Sequence, residues 1–231
     1  MSVYQVIPIY RIFMKAMILA AGKGERMRPL TASTPKPLLT VAGKPLLVHH
    51  LQALARAGIK DVVINAWYLG EQIVELIGSG ARFGLNIQYS VEEQLMDTGG
   101  GIAQCLPLLG SEPFIVLSAD IFTDFAFNTL PTAPAGLAHL IMVDNPAYHL
   151  KGDFYLDKGT LKMHGEMNKF TYANIGVFRP EFFVGAPKGP FPLRDLLFAH
   201  IAQDLVKGQY FSGLWHNIGT PADLELANSL V

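Results

Sequence analysis

Residues 15–36 read KAMILAAGKGERMRPLTASTPK, a short apolar run that is followed directly by a long polar loop. An apolar run of this length, bounded by glycine, predicts a buried parallel strand over residues 15–19. Residues 20–36 are rich in Gly, Pro, Ser and Thr, a composition that predicts neither helix nor strand. Open α/β sheets bind ligands beyond the carboxyl ends of their strands. We therefore expect a ligand-binding loop directly after this strand.

The residues beyond this loop alternate between helical and strand patterns. Helices are predicted over residues 45–57, 69–77 and 100–106, and strands over 60–65, 86–90 and 113–117. This alternation is typical of βαβ units and of a parallel sheet with right-handed crossovers. Later strands are predicted over residues 137–143, 153–156, 160–163, 170–178 and 208–214, and later helices over 193–204 and 221–229. We expect a single three-layer, Rossmann-like α/β domain whose central sheet is parallel at first and mixed in its second half.

Composition excludes several classes of protein. The 231 residues are 50% hydrophobic and 16% charged, which excludes a disordered chain. A formal net charge of -1 argues against a nucleic-acid or anionic-lipid partner. No apolar run approaches the roughly 18 residues of a spanning helix, and the apolar residues 1–14 lack the basic start of a secretory signal. Cys105 is the only cysteine, which excludes an intramolecular disulfide and a cysteine zinc site and favours a cytoplasmic location.

The loop after the first strand has the composition of an anion-binding segment. Its two glycines, Gly22 and Gly24, let backbone N–H groups approach a ligand. Glu25 is the only acid between residues 22 and 44. The cations in the same stretch are Lys23, Arg26, Arg28, Lys36 and Lys44. This local excess of positive charge in a nearly neutral chain predicts a polyphosphate partner.

Two common phosphate-binding loops do not fit these residues. The Walker A pattern G-x-x-x-x-G-K-[ST] is absent. A dinucleotide fingerprint requires a third glycine where this chain has Met27, and an acidic residue about 20 positions further on, where it has His49 and His50. Pro29 also prevents a helix from starting at once. A nicotinamide-dependent oxidoreductase is therefore disfavoured.

Several longer strings resemble one enzyme family, the sugar-1-phosphate nucleotidyltransferases. The strings are AAGKGERMRPLT (20–31), TPKPLLTVAGKPLL (34–47), INAWYLG (64–70), DTGGG (97–101), SADIFTD (118–124) and WHNIGTP (215–221). The triple glycine and the GDF string at 152–154 are similar to the short bacterial members that act on N-acetylmuramate 1-phosphate. The resemblance implies the nucleotide-diphospho-sugar transferase fold over 14–231, with a nucleotide half (14–125), a sugar half (126–231) and an N-terminal extension (1–13).

The resemblance also implies roles for residues of the nucleotide half. Arg26 would bind the β- and γ-phosphates, and Lys36 the α-phosphate. Asp120 would ligate Mg²⁺ together with Asn217, which stands where the family normally carries Asp. The remaining residues implied in nucleotide binding are Ala21, Gly22, Lys23, Gly24, Thr98, Gly99 and Gly100. Backbone amides of the run Thr98–Gly101 would touch the base and ribose.

The sugar would be bound, on the same resemblance, by Asn65, Asp153, Glu166 and Asn174. Met167 replaces a lysine that other members of the family use for the sugar's phosphate, and the short muramate-type members share this replacement. The implied reaction is the Mg²⁺-dependent transfer of a nucleoside monophosphate from a triphosphate to a sugar 1-phosphate, with release of pyrophosphate.

UTP and N-acetylmuramate 1-phosphate, in cytoplasmic cell-wall recycling, are the expected substrates. Mannose-1-phosphate guanylyltransferase activity and a nucleotide- or sugar-binding module without turnover remain alternatives, and the protein is either a monomer or a homo-oligomer.

Overall fold

The first predicted strand lies inside the central sheet as β1 (Ala16–Leu19), between the parallel strands β4 (Asp61–Ala66) and β6 (Phe114–Ser118). The side chain of Met17 and its neighbours in β1 are almost completely buried. A strand covered on both faces needs an uninterrupted apolar run, which is what residues 16–19 supply. The computed structural model describes residues 14–166 and 168–230, so the predicted extension 1–13 and Met167 lie outside the described residues.

The central sheet contains nine strands among the described residues, in the order β5-β4-β1-β6-β11-β8-β12-β10-β9. The remaining six are β5 (Asn86–Val91), β8 (Ala138–Val143), β9 (Tyr155–Asp157), β10 (Thr160–Lys162), β11 (Thr171–Phe178) and β12 (Val206–Tyr210). Strands β5, β4, β1 and β6 are parallel, whereas β11 is antiparallel to both β6 and β8. The predicted α/β fold with a mixed second half is confirmed.

Helices cover both faces of the sheet and complete three layers. They are α1 (Leu46–Arg56), α2 (Gly70–Ile77), α3 (Asp97–Leu109) and α4 (Leu193–Ile201), followed by α5 (Pro221–Ser229) near the C-terminus. Leu47 and Ile73, from α1 and α2, share one apolar cluster with Ile18, whereas Ile102 and Leu197, from α3 and α4, join the cluster on the opposite face. No helix in the described ranges is both long and apolar enough to cross a bilayer.

Two short strand pairs were not predicted. One is the hairpin of β2 (Thr40–Val41) and β3 (Lys44–Pro45) after the polar loop. The other pairs β7 (Ile121–Thr123) with β13 (Trp215–Asn217) in antiparallel register. Strands of two or three residues are too short to show a period of two, so their sequences carry no strand signal.

Some predicted boundaries were wrong. Helix α3 begins at Asp97 and not at residue 100, so the triple glycine lies in its first turn. Strand β12 spans 206–210 and not 208–214, and α4 ends at Ile201. The polar loop contains three single 3-10 turns, at 25–27, 30–32 and 36–38. Glycine is a poor helix former, and at α3 tertiary packing overrides that local preference.

Candidate active site

The strands β1, β4 and β6 end at one edge of the sheet, where a cavity of about 260 Å³ opens. Its lining includes Ala21 and Gly22 from the polar loop, Thr98 from α3, and both Lys36 and Asp120. We call it the first cavity. A second cavity of about 460 Å³ follows the outer side of the loop and reaches Gly219 near the C-terminus. The predicted loop therefore lies between two connected spaces at the carboxyl end of the sheet.

Gly24 allows the loop to fold back tightly. Its φ angle is +63°, a left-handed conformation that residues with a Cβ rarely adopt. A Cβ at this position would lie 3.0 Å from Thr31 Cγ2 and 3.2 Å from Lys36 Cβ. The Thr31 hydroxyl also donates to the Gly24 carbonyl at 2.8 Å. The missing side chain thus lets the beginning of the loop pack against the segment that carries Lys36.

Lys36 and Asp120 form an ion pair at the junction of the two cavities. Lys36 Nζ lies 2.6 Å from Asp120 Oδ2, and the two side chains are 11% and 31% exposed. Asp120 is the second residue after β6, so the sheet carries its carboxylate to the edge. The positive and the negative group that the sequence singled out are therefore brought together, although 84 positions separate them in the chain.

The β7–β13 pairing brings Asn217 to the same place. Asn217 is the register partner of Ile121, and the Ile218 N–H donates to the Asp120 carbonyl at 2.8 Å. A Cβ on Gly219 would lie 3.4 Å from each of three side-chain atoms, namely Arg26 Nη1, Asn217 Nδ2 and Asp223 Oδ2. Arg26 and Asn217 therefore meet beside Gly219.

Tyr148 is a further residue of this cluster that sequence reasoning missed. It lies in the segment between β8 and β9, and 60% of its surface is exposed. Partial burial raises the pKa of Tyr148, and the neighbouring Asn217 side chain opposes that rise. The negative charges of Asp223 and Asp120 also raise this pKa, whereas the positive charge of Arg26 lowers it, so Tyr148 lies near these side chains. Nothing in the surrounding loop sequence marks this tyrosine.

Lys23 lies on the outer side of the loop. Its Nζ is 3.8 Å from Glu25 Oε1 and 5.2 Å from the centre of the Trp67 ring. Both charged side chains are largely exposed, with values of 43% and 66%. Lys23 lines the second cavity together with Arg26.

The geometry at Gly99 and Gly100 contradicts the expectation for their backbone amides. Both N–H groups donate to the Phe191 carbonyl, at 2.9 and 3.1 Å, and both residues are buried. A Cβ on Gly99 would lie 2.3 Å from the Phe191 ring, and one on Gly100 would lie 2.5 Å from the Gly189 carbonyl. These glycines allow α3 to pack closely against residues 189–191, and their amides have no capacity left for a base or ribose. Thr98 does line the first cavity, and its Oγ1 accepts the Leu193 N–H at 3.0 Å.

Asn65, which the sequence assigned to the sugar, lies beneath the nucleotide loop. It is 2% exposed at the end of β4, where its Oδ1 accepts the Ala20 N–H at 2.9 Å. Its Nδ2 donates to Glu92 Oε1 at 2.7 Å. Because both polar atoms are paired inside the protein, Asn65 holds the loop in place and is not placed with the other sugar candidates. Glu92, which sequence reasoning missed, is 3% exposed and also accepts the Met96 N–H at 3.0 Å.

The other sugar candidates are only partly brought together. Asn174 has a φ angle of +56° in an irregular part of β11, and it lines a third cavity of about 150 Å³. Asp153 accepts the Tyr172 N–H at 2.8 Å and lies 2.9 Å from His149 Nε2, so it supports β11 from the side. Glu166 is exposed in the turn beyond β10.

The donor set around Asp120 suits a hard divalent cation. Mg²⁺ is commonly held by one or two carboxylates, with substrate phosphates and water supplying the other oxygens. Asp120 supplies the carboxylate, and the β7–β13 pairing brings Asn217, which carries an amide oxygen, to the neighbouring strand. Within residues 14–166 and 168–230, no group of three or more His, Cys, Asp or Glu side chains could hold a metal. The residues present fit a metal that is shared with a polyphosphate substrate.

Comparison with known proteins identifies the family of proteins to which this chain belongs. The family profile described as Nucleotidyl transferase matches residues 15–140, more than half of the chain. The chain therefore belongs to the nucleotidyl transferase family, as the resemblance predicted.

Individual members of the family show how similar the chain is to proteins with a named activity. The chain is 46% identical to the N-acetylmuramate alpha-1-phosphate uridylyltransferase of Neisseria meningitidis serogroup B, over 94% of this chain and 98% of that protein. It is 32% identical to the protein of the same name from Caulobacter vibrioides, over 89% and 92% of the two chains. Mannose-1-phosphate guanyltransferase beta-B of Xenopus laevis is 30% identical over 91% of this chain, which spans 62% of that longer protein.

The fold has solved counterparts. A Bacillus anthracis protein, provisionally named a glucose-1-phosphate thymidylyltransferase and solved with sucrose, superimposes with a TM-score of 0.82. The match covers 94% of each chain at 23% sequence identity. Identity at this level supports the shared fold alone.

Proposed function

We propose that the protein transfers uridine monophosphate from UTP to N-acetylmuramate 1-phosphate, forming UDP-N-acetylmuramate and releasing pyrophosphate. The proposal rests on one observation about the site: the loop 20–28, Lys36 and Asp120 converge at the carboxyl edge of the sheet. The choice of base and sugar rests on the near full-length similarity to the two uridylyltransferases. The guanyltransferase relatives are less similar and considerably longer.

In this reaction an oxygen of the sugar's phosphate attacks the α-phosphorus of UTP. A new P–O bond forms, the bond from the α-phosphorus to the bridging oxygen breaks, and pyrophosphate leaves. No covalent enzyme intermediate is needed. Catalysis therefore consists of positioning the reactants and stabilising charge on the phosphoryl oxygens.

The chain supplies that stabilisation through two cations. The Lys36 ammonium at the junction of the cavities would contact the α-phosphate, and the Arg26 guanidinium would bind the β- and γ-phosphates in a bidentate manner. The backbone of Ala21, Gly22 and Gly24 would approach the triphosphate, with Lys23 at the outer edge. The places of these residues around the two cavities support these roles.

Asp120 and Asn217 would hold Mg²⁺, which when bound neutralises phosphate charge and orients the triphosphate. Without metal and substrate, Lys36 and Asp120 neutralise each other. With substrate bound, the Lys36 ammonium would exchange this partner for phosphate oxygens, and the Asp120 carboxylate would be free to hold the metal. The ion pair thus keeps both groups at the reaction centre.

The proposal also includes the cellular compartment and the metabolic role of the enzyme. We place the enzyme in the cytoplasm and in peptidoglycan recycling, because UTP is a cytoplasmic metabolite and N-acetylmuramate is a cell-wall sugar. The buried free thiol of Cys105 agrees with a reducing compartment. The protein acts as a monomer or as a homo-oligomer.

Pyrophosphate release tests the proposed function. The purified protein is assayed with each of the four nucleoside triphosphates against N-acetylmuramate, N-acetylglucosamine, mannose and glucose 1-phosphates. We expect the highest kcat/KM with UTP and N-acetylmuramate 1-phosphate. Turnover of GTP with mannose 1-phosphate alone would establish the guanylyltransferase alternative, and binding of UTP without pyrophosphate release from any pair would indicate a binding module.

A further inference from the structure

The third cavity extends the nucleotide site toward the sugar half. It shares three lining residues with the first cavity, Leu19, Thr98 and Ser118. Its far side is formed by Tyr172 and Asn174 of β11 and by Leu193 and Arg194 at the start of α4. A molecule that joins a triphosphate in the first cavity would therefore extend into the third.

Arg194 is the cation that this cavity offers. The Leu193 N–H donates to Thr98 Oγ1 at 3.0 Å, and this bond fixes the first turn of α4 against α3. The only carboxylate within 4.0 Å of the Arg194 guanidinium, among the described residues, is that of adjacent Asp195, whose Oδ1 is 3.7 Å from Nε. The two side chains are 73% and 63% exposed, so the pair is weak.

Several other basic side chains of the sugar half have different partners or line different surfaces. The Arg179 guanidinium donates to the carbonyls of Pro134 and Gly136. Lys162 pairs with Asp204 at 2.7 Å. Lys151 and Lys169 line a separate cavity between the β8–β9 segment and the residues just before β11. Arg194 is thus placed to meet a negative group on the sugar itself.

N-acetylmuramate carries such a group. It differs from N-acetylglucosamine by a lactyl ether whose carboxylate takes no part in phosphoryl transfer. A guanidinium matches a carboxylate with two parallel hydrogen bonds, and a lysine cannot reproduce that geometry. A single charge of this kind allows an enzyme to distinguish the two sugars, because the neutral sugar leaves the guanidinium without its partner.

We propose that Arg194 is a specificity-determining residue that binds the carboxylate of an acidic sugar 1-phosphate. This inference rests on the proposed function, since it assigns the acidic sugar to the same site. Arg194 makes the site selective for an acidic sugar, a role that the residues proposed for the phosphates and the metal do not have. Arg194 contributes to sugar affinity and not to the chemistry at phosphorus.

Binding measurements with matched sugars test this role. The affinities of N-acetylmuramate 1-phosphate and N-acetylglucosamine 1-phosphate are measured by calorimetry in the presence of a non-hydrolysable UTP analogue and Mg²⁺. We expect Arg194→Ala to weaken binding of the muramate compound about 10- to 100-fold and to change binding of the neutral sugar less than about 3-fold. Arg194→Lys should recover only part of the loss. Arg56→Ala, at the exposed end of α1, serves as the control and should change neither affinity.

Steady-state kinetics adds an independent readout. The change in Arg194→Ala should appear in KM for the muramate compound, with kcat within about 3-fold of the wild type. Equal weakening for both sugars would overturn the proposal, because it would assign Arg194 to the phosphate that they share. Unchanged affinity for both sugars would overturn it as well. Failure of the proposed function is distinguishable, since in that case the wild type itself would not release pyrophosphate from UTP with N-acetylmuramate 1-phosphate.

Discussion

At the scale of single residues, the 2.6 Å contact between Lys36 and Asp120 joins a loop cation to the carboxylate that follows β6. The pair has two consequences. It shields each charge before substrate arrives, and it holds the ammonium at the point where the α-phosphate would lie. Both side chains retain some exposure, so either can exchange its partner for a ligand without a buried charge being left unpaired.

Lys36→Ala and Arg26→Ala are each expected to lower kcat/KM for UTP about 100-fold or more, the effect of removing one preorganised charge-stabilising group. Both residues lie on the loop outside the main apolar clusters, so the melting temperature should stay near that of the wild type. Pyrophosphate release and thermal unfolding are measured side by side. Lys60→Ala, an exposed lysine before β4, is the control. Near-normal turnover in either variant would remove that residue from the catalytic machinery.

Asn217 supplies an amide at a place where the family resemblance implies a carboxylate. Replacing Asn217→Asp adds a negative charge beside Asp120 and should strengthen attraction to a divalent cation. We expect the Mg²⁺ concentration for half-maximal rate to fall several-fold in this variant. The measurement is a magnesium titration of turnover, with Asn128→Asp, on an exposed turn, as the control. Superimposable curves for wild type and Asn217→Asp would contradict a ligand role for this residue.

At the scale of elements, a chain of buried hydrogen bonds connects the loop after β1 with the segment before α3. Ala20 N–H donates to Asn65 Oδ1, Asn65 Nδ2 donates to one Glu92 oxygen, and Met96 N–H donates to the other. Gly101 permits this arrangement, because its Cβ would lie 2.9 Å from Asn65 Nδ2 and 3.0 Å from Glu92 Oε1. The two segments that border the first cavity are therefore held in one relative position.

Exchanging the two side chains tests this connection. Glu92→Gln turns one acceptor into a donor and leaves a buried polar contact unmatched, whereas Asn65→Asp places two carboxyl groups against each other. Each single variant should raise KM for UTP about 10-fold and lower the melting temperature. The double variant Asn65→Asp/Glu92→Gln restores every donor–acceptor pair. Its KM for UTP should therefore lie within about 3-fold of the wild-type value, and its melting temperature within a few degrees. Additive losses in the double variant would show that the two residues act independently.

At the scale of the whole molecule, Cys105 reports on the integrity of the core. Its side chain is fully buried between α3 and the sheet, and burial raises the pKa of the thiol to about 11. The thiolate is the reactive form, so both access and ionisation limit its modification. We expect no reaction with a thiol reagent at pH 8 in the native protein and complete reaction of one thiol after denaturation in guanidinium chloride. Rapid modification of the native protein would show that α3 opens readily from the sheet.

The sequence alone determined the local features of this protein. The apolar run at 16–19, the polar loop behind it and the alternation up to residue 118 are signals carried by neighbouring residues, and they were sufficient for the α/β fold. The family followed from the resemblance of longer strings such as residues 20–31 and 97–101. The loop cations and Asp120 could also be singled out from neighbouring residues. Residues that directly follow a parallel strand lie at the carboxyl edge of the sheet, where ligands bind.

Only the tertiary structure decided which distant residues meet. Asn217 reaches the strand that follows Asp120 through a strand pair too short to show a period of two. Tyr148 lies near Asn217, and Arg194 lines the third cavity, although both come from segments far away in the chain. The resemblance assigns Asn65 to the sugar, whereas its hydrogen-bond partners in the structure are Ala20 and Glu92, which lie 45 and 27 positions away. The triple glycine has the composition of a ligand-binding loop, yet the N–H groups of Gly99 and Gly100 donate to the Phe191 carbonyl. Residue type shows what a side chain is able to bind, whereas the partner it has depends on the long-range packing that brings strands and helices together.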